Sequence, residues 1–338
     1  MTKRRLMNEK QLKENKRRRP KIKLAEAPPI NNIQDLIEIS NSTKFYRNLD
    51  SIMLWRITPY LQELNHLVGM DSLKESLFYQ ILYYLQGMHQ KNKQEEYLHT
   101  MIYGLPGTGK TTVAKIIGKI YQGLGILSRK GTFKIAYRDD FIAGYLGQTA
   151  IKTQKLLKSC IGGVLFIDEV YALAPRDNDR DSFSKEALDT LTAFLSEHKN
   201  DFCCIAAGYE NDIETCFFGM NQGLRRRFPW VHRIEKYKPE HLTLILIKKV
   251  KEMNWDISVT NKEIEEIIEK NNELFKYAGG DIETYLTKCK MAHSKRVFAL
   301  DPEHKFVLTK KDFKNGIKLC LKNSKKKEER KPPPGLYI

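Results

Sequence analysis

Gly104-Leu105-Pro106-Gly107-Thr108-Gly109-Lys110-Thr111 fits G-x-x-x-x-G-K-S/T, the spacing of a phosphate-binding loop. Glycines without Cβ atoms let consecutive backbone N–H groups turn inward onto phosphate oxygens. Lys110 then reaches the β- and γ-phosphates, and the Thr111 hydroxyl is suited to Mg²⁺. Further along, Val164-Leu165-Phe166-Ile167 is an apolar run that ends in Asp168 and Glu169. A buried strand with acids at its carboxyl end supplies the rest of a nucleoside triphosphatase site. Asp168 would hold the metal shell, and Glu169 would polarise the attacking water.

These groups need elements to position them. Thr100-Met101-Ile102-Tyr103 reads as a short strand before the loop, and Thr112 to Tyr121 as a helix after it. The helix N-terminus adds partial positive charge at the phosphates. Strand-like runs recur at Thr132–Tyr137, Val164–Ile167, Phe202–Ala207 and Val231–Ile234, with helical runs at Ala150–Cys160 and Phe183–His198 between them. This alternation predicts an α/β fold, a parallel P-loop sheet covered by helices. From Pro239 the pattern becomes helical near His241–Met253, Lys262–Phe275, Asp281–Phe298 and Lys310–Leu321, a small helical lid domain.

The net charge of +17 sits mostly at the ends. Residues 1–24 hold eleven Lys/Arg against Glu9 and Glu14, and residues 318–338 hold seven against Glu328 and Glu329. We expect a basic disordered tail over 1–40, a helical linker over 41–64, the α/β domain over 65–236, the helical domain over 237–321 and a second basic tail over 322–338. Six cysteines without a C-x-x-C pair read as core thiols. No apolar stretch approaches the roughly 20 residues a membrane span requires, and the basic N-terminus has no signal-like apolar core. An intracellular, cytoplasmic or nuclear protein with no membrane partner is expected.

The order of parts resembles the AAA+ ATPases of the CbxX/CfqX type, which include red-type Rubisco activases and stage V sporulation protein K relatives. The resemblance covers roughly residues 64–300. It rests on Leu67-Val68-Gly69-Met70-Asp71, on Gly144 to Thr153, on Gly162-Gly163 before the Val164–Glu169 run, on Asp177 to Asp181 with Lys185-Glu186-Ala187, and on Ala206-Ala207-Gly208-Tyr209. It implies ATP and Mg²⁺ as ligands. The nucleotide contacts would be Val68 and Gly69 near the adenine, with Gly104, Leu105, Pro106, Gly107, Thr108, Gly109, Lys110, Thr111 and Thr112 around the phosphates.

The same resemblance implies a ring, most often a hexamer of the chain with itself. In Gly223-Leu224-Arg225-Arg226-Arg227-Phe228, Arg227 aligns best with an arginine finger acting on a neighbour's nucleotide, and Arg225 is the second candidate. Tyr209 falls near the sensor position. Gly280-Asp281-Ile282-Glu283 departs from the family pattern, with Glu283 standing where the family has a lid arginine.

Tyr145 and Leu146 lie where AAA+ rings carry a central pore loop. An aromatic ring between glycines can wedge against an extended chain without reading its sequence, so the partner expected is a remodelled protein. The alternative is an ATPase tethered to nucleic acid by Lys3-Arg4-Arg5 and Lys16-Arg17-Arg18-Arg19, which also resemble a bipartite import signal. A ring-forming regulator with little turnover is a third reading.

Overall fold

The computed structural model describes residues 24–47, 49–90, 96–128, 130–145, 147–174 and 182–328. Its centre is a parallel sheet of five strands: β1 (Thr100–Tyr103), β2 (Phe133–Ala136), β3 (Val164–Ile167), β4 (Cys203–Gly208) and β5 (Trp230–Arg233). The spatial order is β2-β3-β4-β1-β5, so β1 lies between β4 and β5, with Ile102 paired to Ala207 on one side and His232 on the other. Each expected strand is present, its ends shifted by a residue or so.

Alternation along the strands separates two cores. Ile102, Val164, Phe166, Cys203 and Ile205 face one core, while Met101, Leu165, Ile167, Cys204 and Ala206 face the other. A strand buried on both faces reads as a continuous apolar run, which explains why β3 and β4 stand out in the sequence. The second core is covered by α5 (Thr149–Lys158) and α6 (Ser182–Glu197), through Leu157, Leu191 and Leu195.

The first core is larger than expected, because it includes N-terminal helices. α1 (Ile33–Ser40), α2 (Ser51–Asn65) and α3 (Asp71–Leu85) bury Leu36, Leu61 and Leu77 in this core; α1 packs on α2, and α2 packs on α4 (Lys110–Gly123), the helix that follows the phosphate loop. The expectation of a disordered tail through residue 40 is therefore corrected. α1 opens on a capping box between Asn32 and Asp35, and Ile33, Leu36, Ile37 and Ile39 are buried. Before it, Leu24–Ala25 pairs in parallel with Phe45–Tyr46. A cavity of about 300 Å³ opens beside this region, lined by Ile39, Phe45, Ile52 and Trp55.

Past β5 the chain forms the helical domain from α7 (Pro239–Glu252), α8 (Asn261–Glu269), α9 (Ala278–Val297) and α10 (Lys310–Glu328). Leu246, Ile268, Ile282, Tyr285 and Phe313 make its own core. Pro239 stands at the first turn of α7, where its missing N–H costs nothing. α10 runs past the expected boundary at residue 322. No helix among the described residues is long and apolar enough to cross a membrane.

Because Leu36 has no exposed surface, Leu36→Ala should lower stability by about 2–5 kcal/mol, read by thermal or denaturant unfolding. A melting curve unchanged from the parent would return α1 to the status of a tail.

Candidate functional site

The phosphate loop spans the turn from β1 to α4, at the carboxyl edge of the sheet. Its base is anchored by two backbone bonds: Gly104 N–H donates to Gly208 O at 3.1 Å, and Ile234 N–H to Tyr103 O at 2.8 Å. Gly107 and Gly109 both have positive φ, +70° and +91°, a region that only glycine enters without strain. Gly109 is the N-cap of α4 and supplies no side-chain cap. The first N–H groups of a 14-residue helix are thus left to a ligand at its positive end.

Lys110 is buried, and its ammonium donates to Gly104 O at 3.2 Å and Leu105 O at 3.0 Å. The two carbonyls hold the cation over the loop while its remaining N–H stays available. Burial lowers the lysine's pKa, and the Asp168 and Glu169 carboxylates oppose that shift, so the loop cation and both acids of β3 share one electrostatic site. Thr111 is half-buried and Thr112 exposed at the start of α4. Thr108 is buried, its hydroxyl donating to Leu105 O at 2.7 Å.

Asp168 and Glu169 leave the end of β3 in an unusual backbone. Glu169 adopts φ +49° and ψ +47°, left-handed for a residue with a Cβ, and its N–H donates to Asp168 Oδ1 at 3.0 Å. Strain of this kind persists where surrounding structure over-determines it, most often at functional sites. It separates the two acids: Asp168 is half-buried, and Glu169 is exposed. Tyr209 follows β4, its ring centroid 6.0 Å from Lys110 Nζ and 5.7 Å from the Tyr171 ring.

The helical domain closes directly on the loop. Gly279 N–H donates to Gly107 O at 3.1 Å, and Tyr237 OH donates to Thr108 O at 3.0 Å. A Cβ at Gly107 would stand 2.5 Å from Tyr277 O, so glycine is required there by contact as well as by φ. Between the domains lies a cavity of about 230 Å³ whose lining includes Val68, Gly107, Gly109, Thr112, Ile245 and Lys249. Gly69 adjoins it at φ +65°. A glycine cradle, an uncapped helix end and a buried lysine, with the Thr111 hydroxyl following the lysine and the Asp168 carboxylate at the end of β3, form a donor set that fits a magnesium-bound nucleotide.

The remaining expected residues lie apart from this cavity. Arg227 turns into its own chain, donating to Ser196 Oγ at 2.7 Å and Gly223 O at 2.6 Å. Arg225 pairs with Glu214 and covers the Phe218 ring. Arg226, between them, is exposed and has no partner among the described residues. Tyr145 is 80% exposed and precedes Gly147 at φ +76°. Leu146 lies outside the described residues, as do the Asp177–Asp181 stretch and the basic runs at Lys3–Arg5 and Lys16–Arg19. Glu283 forms an ion pair with Lys249. Sequence reasoning missed Tyr237, Gly279 and Lys249; only the Gly279-Gly280 pair carried a signal, as a break before a helix.

Residues 100–228 match the model of the ATPase family associated with various cellular activities (AAA). The chain is 40% identical over 272 residues to the putative cfxQ-like protein R730 of Acanthamoeba polyphaga mimivirus, covering 79% of this chain and 66% of that protein. It is 36% identical over 218 residues to the protein CfxQ homolog of Galdieria sulphuraria, covering 64% of this chain and 70% of that one. The chain thus spans about two thirds of the length of either relative. Among solved structures, the FIGL-1 AAA domain in complex with ADP superposes with a TM-score of 0.56 at 19% identity, over 75% of this chain and 83% of that one. A likeness at that identity speaks for the fold alone.

Proposed function

The chain belongs to the CfxQ family of AAA ATPases, and from that premise we propose that it hydrolyses ATP with Mg²⁺ at the phosphate loop, beside the cavity between its two domains, and uses the cycle to pull on a protein partner. The observation that carries the first half is the geometry of the loop, with Gly107 and Gly109 at positive φ, the uncapped end of α4 and the Lys110 ammonium held over it by Gly104 O and Leu105 O.

In this reading the loop N–H groups and the end of α4 bind the α- and β-phosphates, and Lys110 neutralises the β- and γ-phosphates. Thr111 and Asp168 are the metal-holding pair; magnesium, when bound, supplies positive charge against the phosphate oxygens. Glu169, more exposed than Asp168, accepts the proton of the attacking water. Val68 and Gly69 flank the base. Phosphoryl transfer needs positioning and charge more than covalent chemistry, and each of these groups contributes one or the other.

The transition state also needs a cation on the γ-phosphate from the far side. Arg227 and Arg225 sit in one segment, and both engage their own chain. A guanidinium from that segment would serve a neighbour's site, which favours a head-to-tail ring, a hexamer by family resemblance. Tyr145, exposed two residues before Gly147, supports the second half of the proposal: a solvent-facing aromatic suited to gripping an extended polypeptide.

Two outcomes are expected. The purified chain should hydrolyse ATP, with turnover lost on chelation of Mg²⁺, and Lys110→Ala should remove ATP binding as read by calorimetry; metal-independent turnover, or full binding by the variant, would refute the assignment. Tyr145→Ala should leave the melting temperature within about 2 °C and basal ATPase nearly intact, because truncating an exposed side chain changes stability by only about 0.5 kcal/mol. A drop of about 5 °C or more would identify Tyr145 as a packing residue instead.

A further inference from the structure

We propose that Lys249 is the residue through which the helical domain holds the nucleotide's phosphates, with Glu283 as the counter-ion it exchanges for them. The inference rests on the nucleotide-binding reading above and assigns a cation to a lid whose expected arginine position carries an acid.

Position is the first argument. Lys249 lies near the end of α7 and lines the same cavity as Gly107, Gly109 and Thr112. Its ammonium reaches across to α9 and donates to Glu283 Oε1 at 2.5 Å. α9 is the helix whose first turn is tied to the phosphate loop, through Gly279 N–H and Gly107 O. Glu283 follows Gly279 by four residues, one turn further along the same face. The pair therefore stands about 6 Å along α9 from the seam where the lid meets the loop.

Exposure is the second. The Lys249 side chain is 28% exposed and that of Glu283 65% exposed. The carboxylate can regain water at little cost, whereas the ammonium is already largely withdrawn from solvent beside the cavity. An ion pair with one such solvated member is weak and readily exchanged. A triphosphate presents several negative charges on one ligand and competes effectively for the same ammonium. Lys248, its neighbour at the cavity, is exposed and has no partner among the described residues, so it lacks the contact that aims Lys249.

A structural strut and a nucleotide-facing cation differ in sign. If the pair only braces α7 against α9, removing either member has the same effect. If Lys249 binds phosphate, removing Glu283 frees it and also removes a repelling charge. Binding of a fluorescent ATP analogue and of ADP to the full chain tests this, with thermal melting run alongside. Lys249→Ala should weaken ATP binding about tenfold, Lys249→Arg should retain it, and Glu283→Gln should tighten it a few-fold. Two lid variants that weaken binding equally, or change nothing, would overturn the inference while leaving the nucleotide site standing, provided the parent binds and Lys110→Ala does not. If the parent itself fails to bind, the nucleotide reading falls and this inference with it.

Discussion

The placement of β1 between β4 and β5 is the constraint on which the rest of this molecule depends. Paired on both edges and buried on both faces, β1 cannot shift without disturbing both cores. Its carboxyl end therefore delivers Gly104 to one fixed place, and the loop that follows inherits that precision. The acids at the end of β3 and Tyr209 at the end of β4 reach the same edge by the same rule of parallel sheets. A cation, two carboxylates and a glycine cradle meet because three strands run in register.

The second determinant is how the helical domain seats. It meets the loop by backbone, through Gly279 to Gly107, and by the Tyr237 hydroxyl to Thr108 O. Contacts this close leave no room for a Cβ at Gly107, so any ligand-driven shift of the loop must be felt by α9. Within that domain a buried Asp312 accepts from Arg296 and Thr309, with His293 Nδ1 at 3.2 Å, a network that fixes the far end of α9 to α10. Burial alone would raise the Asp312 pKa; these donors outweigh it and hold the carboxyl below its usual range.

Most of the site was legible because its chemistry is local. The loop, the acid pair and their flanking strands each occupy a few consecutive residues whose types declare their use. What was not legible depends on separation in sequence. Lys249 and Glu283 become partners only once α7 packs on α9, and no spacing within either segment announces that. α1 was missed for a different reason: eight residues beside a long basic run were absorbed into a tail, although Asn32 and Asp35 form a capping box and Ile33, Leu36 and Ile37 mark one helical face. Arg225 and Arg227 show a third limit. Their types suit catalysis across a boundary between subunits, yet within one chain each is satisfied by its own neighbours.

Glu169, at the end of β3 beside the phosphate loop, is the base we propose for nucleotide hydrolysis. Single-turnover hydrolysis of ATP by Glu169→Gln, measured beside ATP binding by the same protein, tests that role most directly. Binding should be retained and hydrolysis reduced by at least about a hundredfold, since the amide cannot accept the water's proton while Lys110, Thr111 and Asp168 are untouched. Hydrolysis near the parent rate would contradict it.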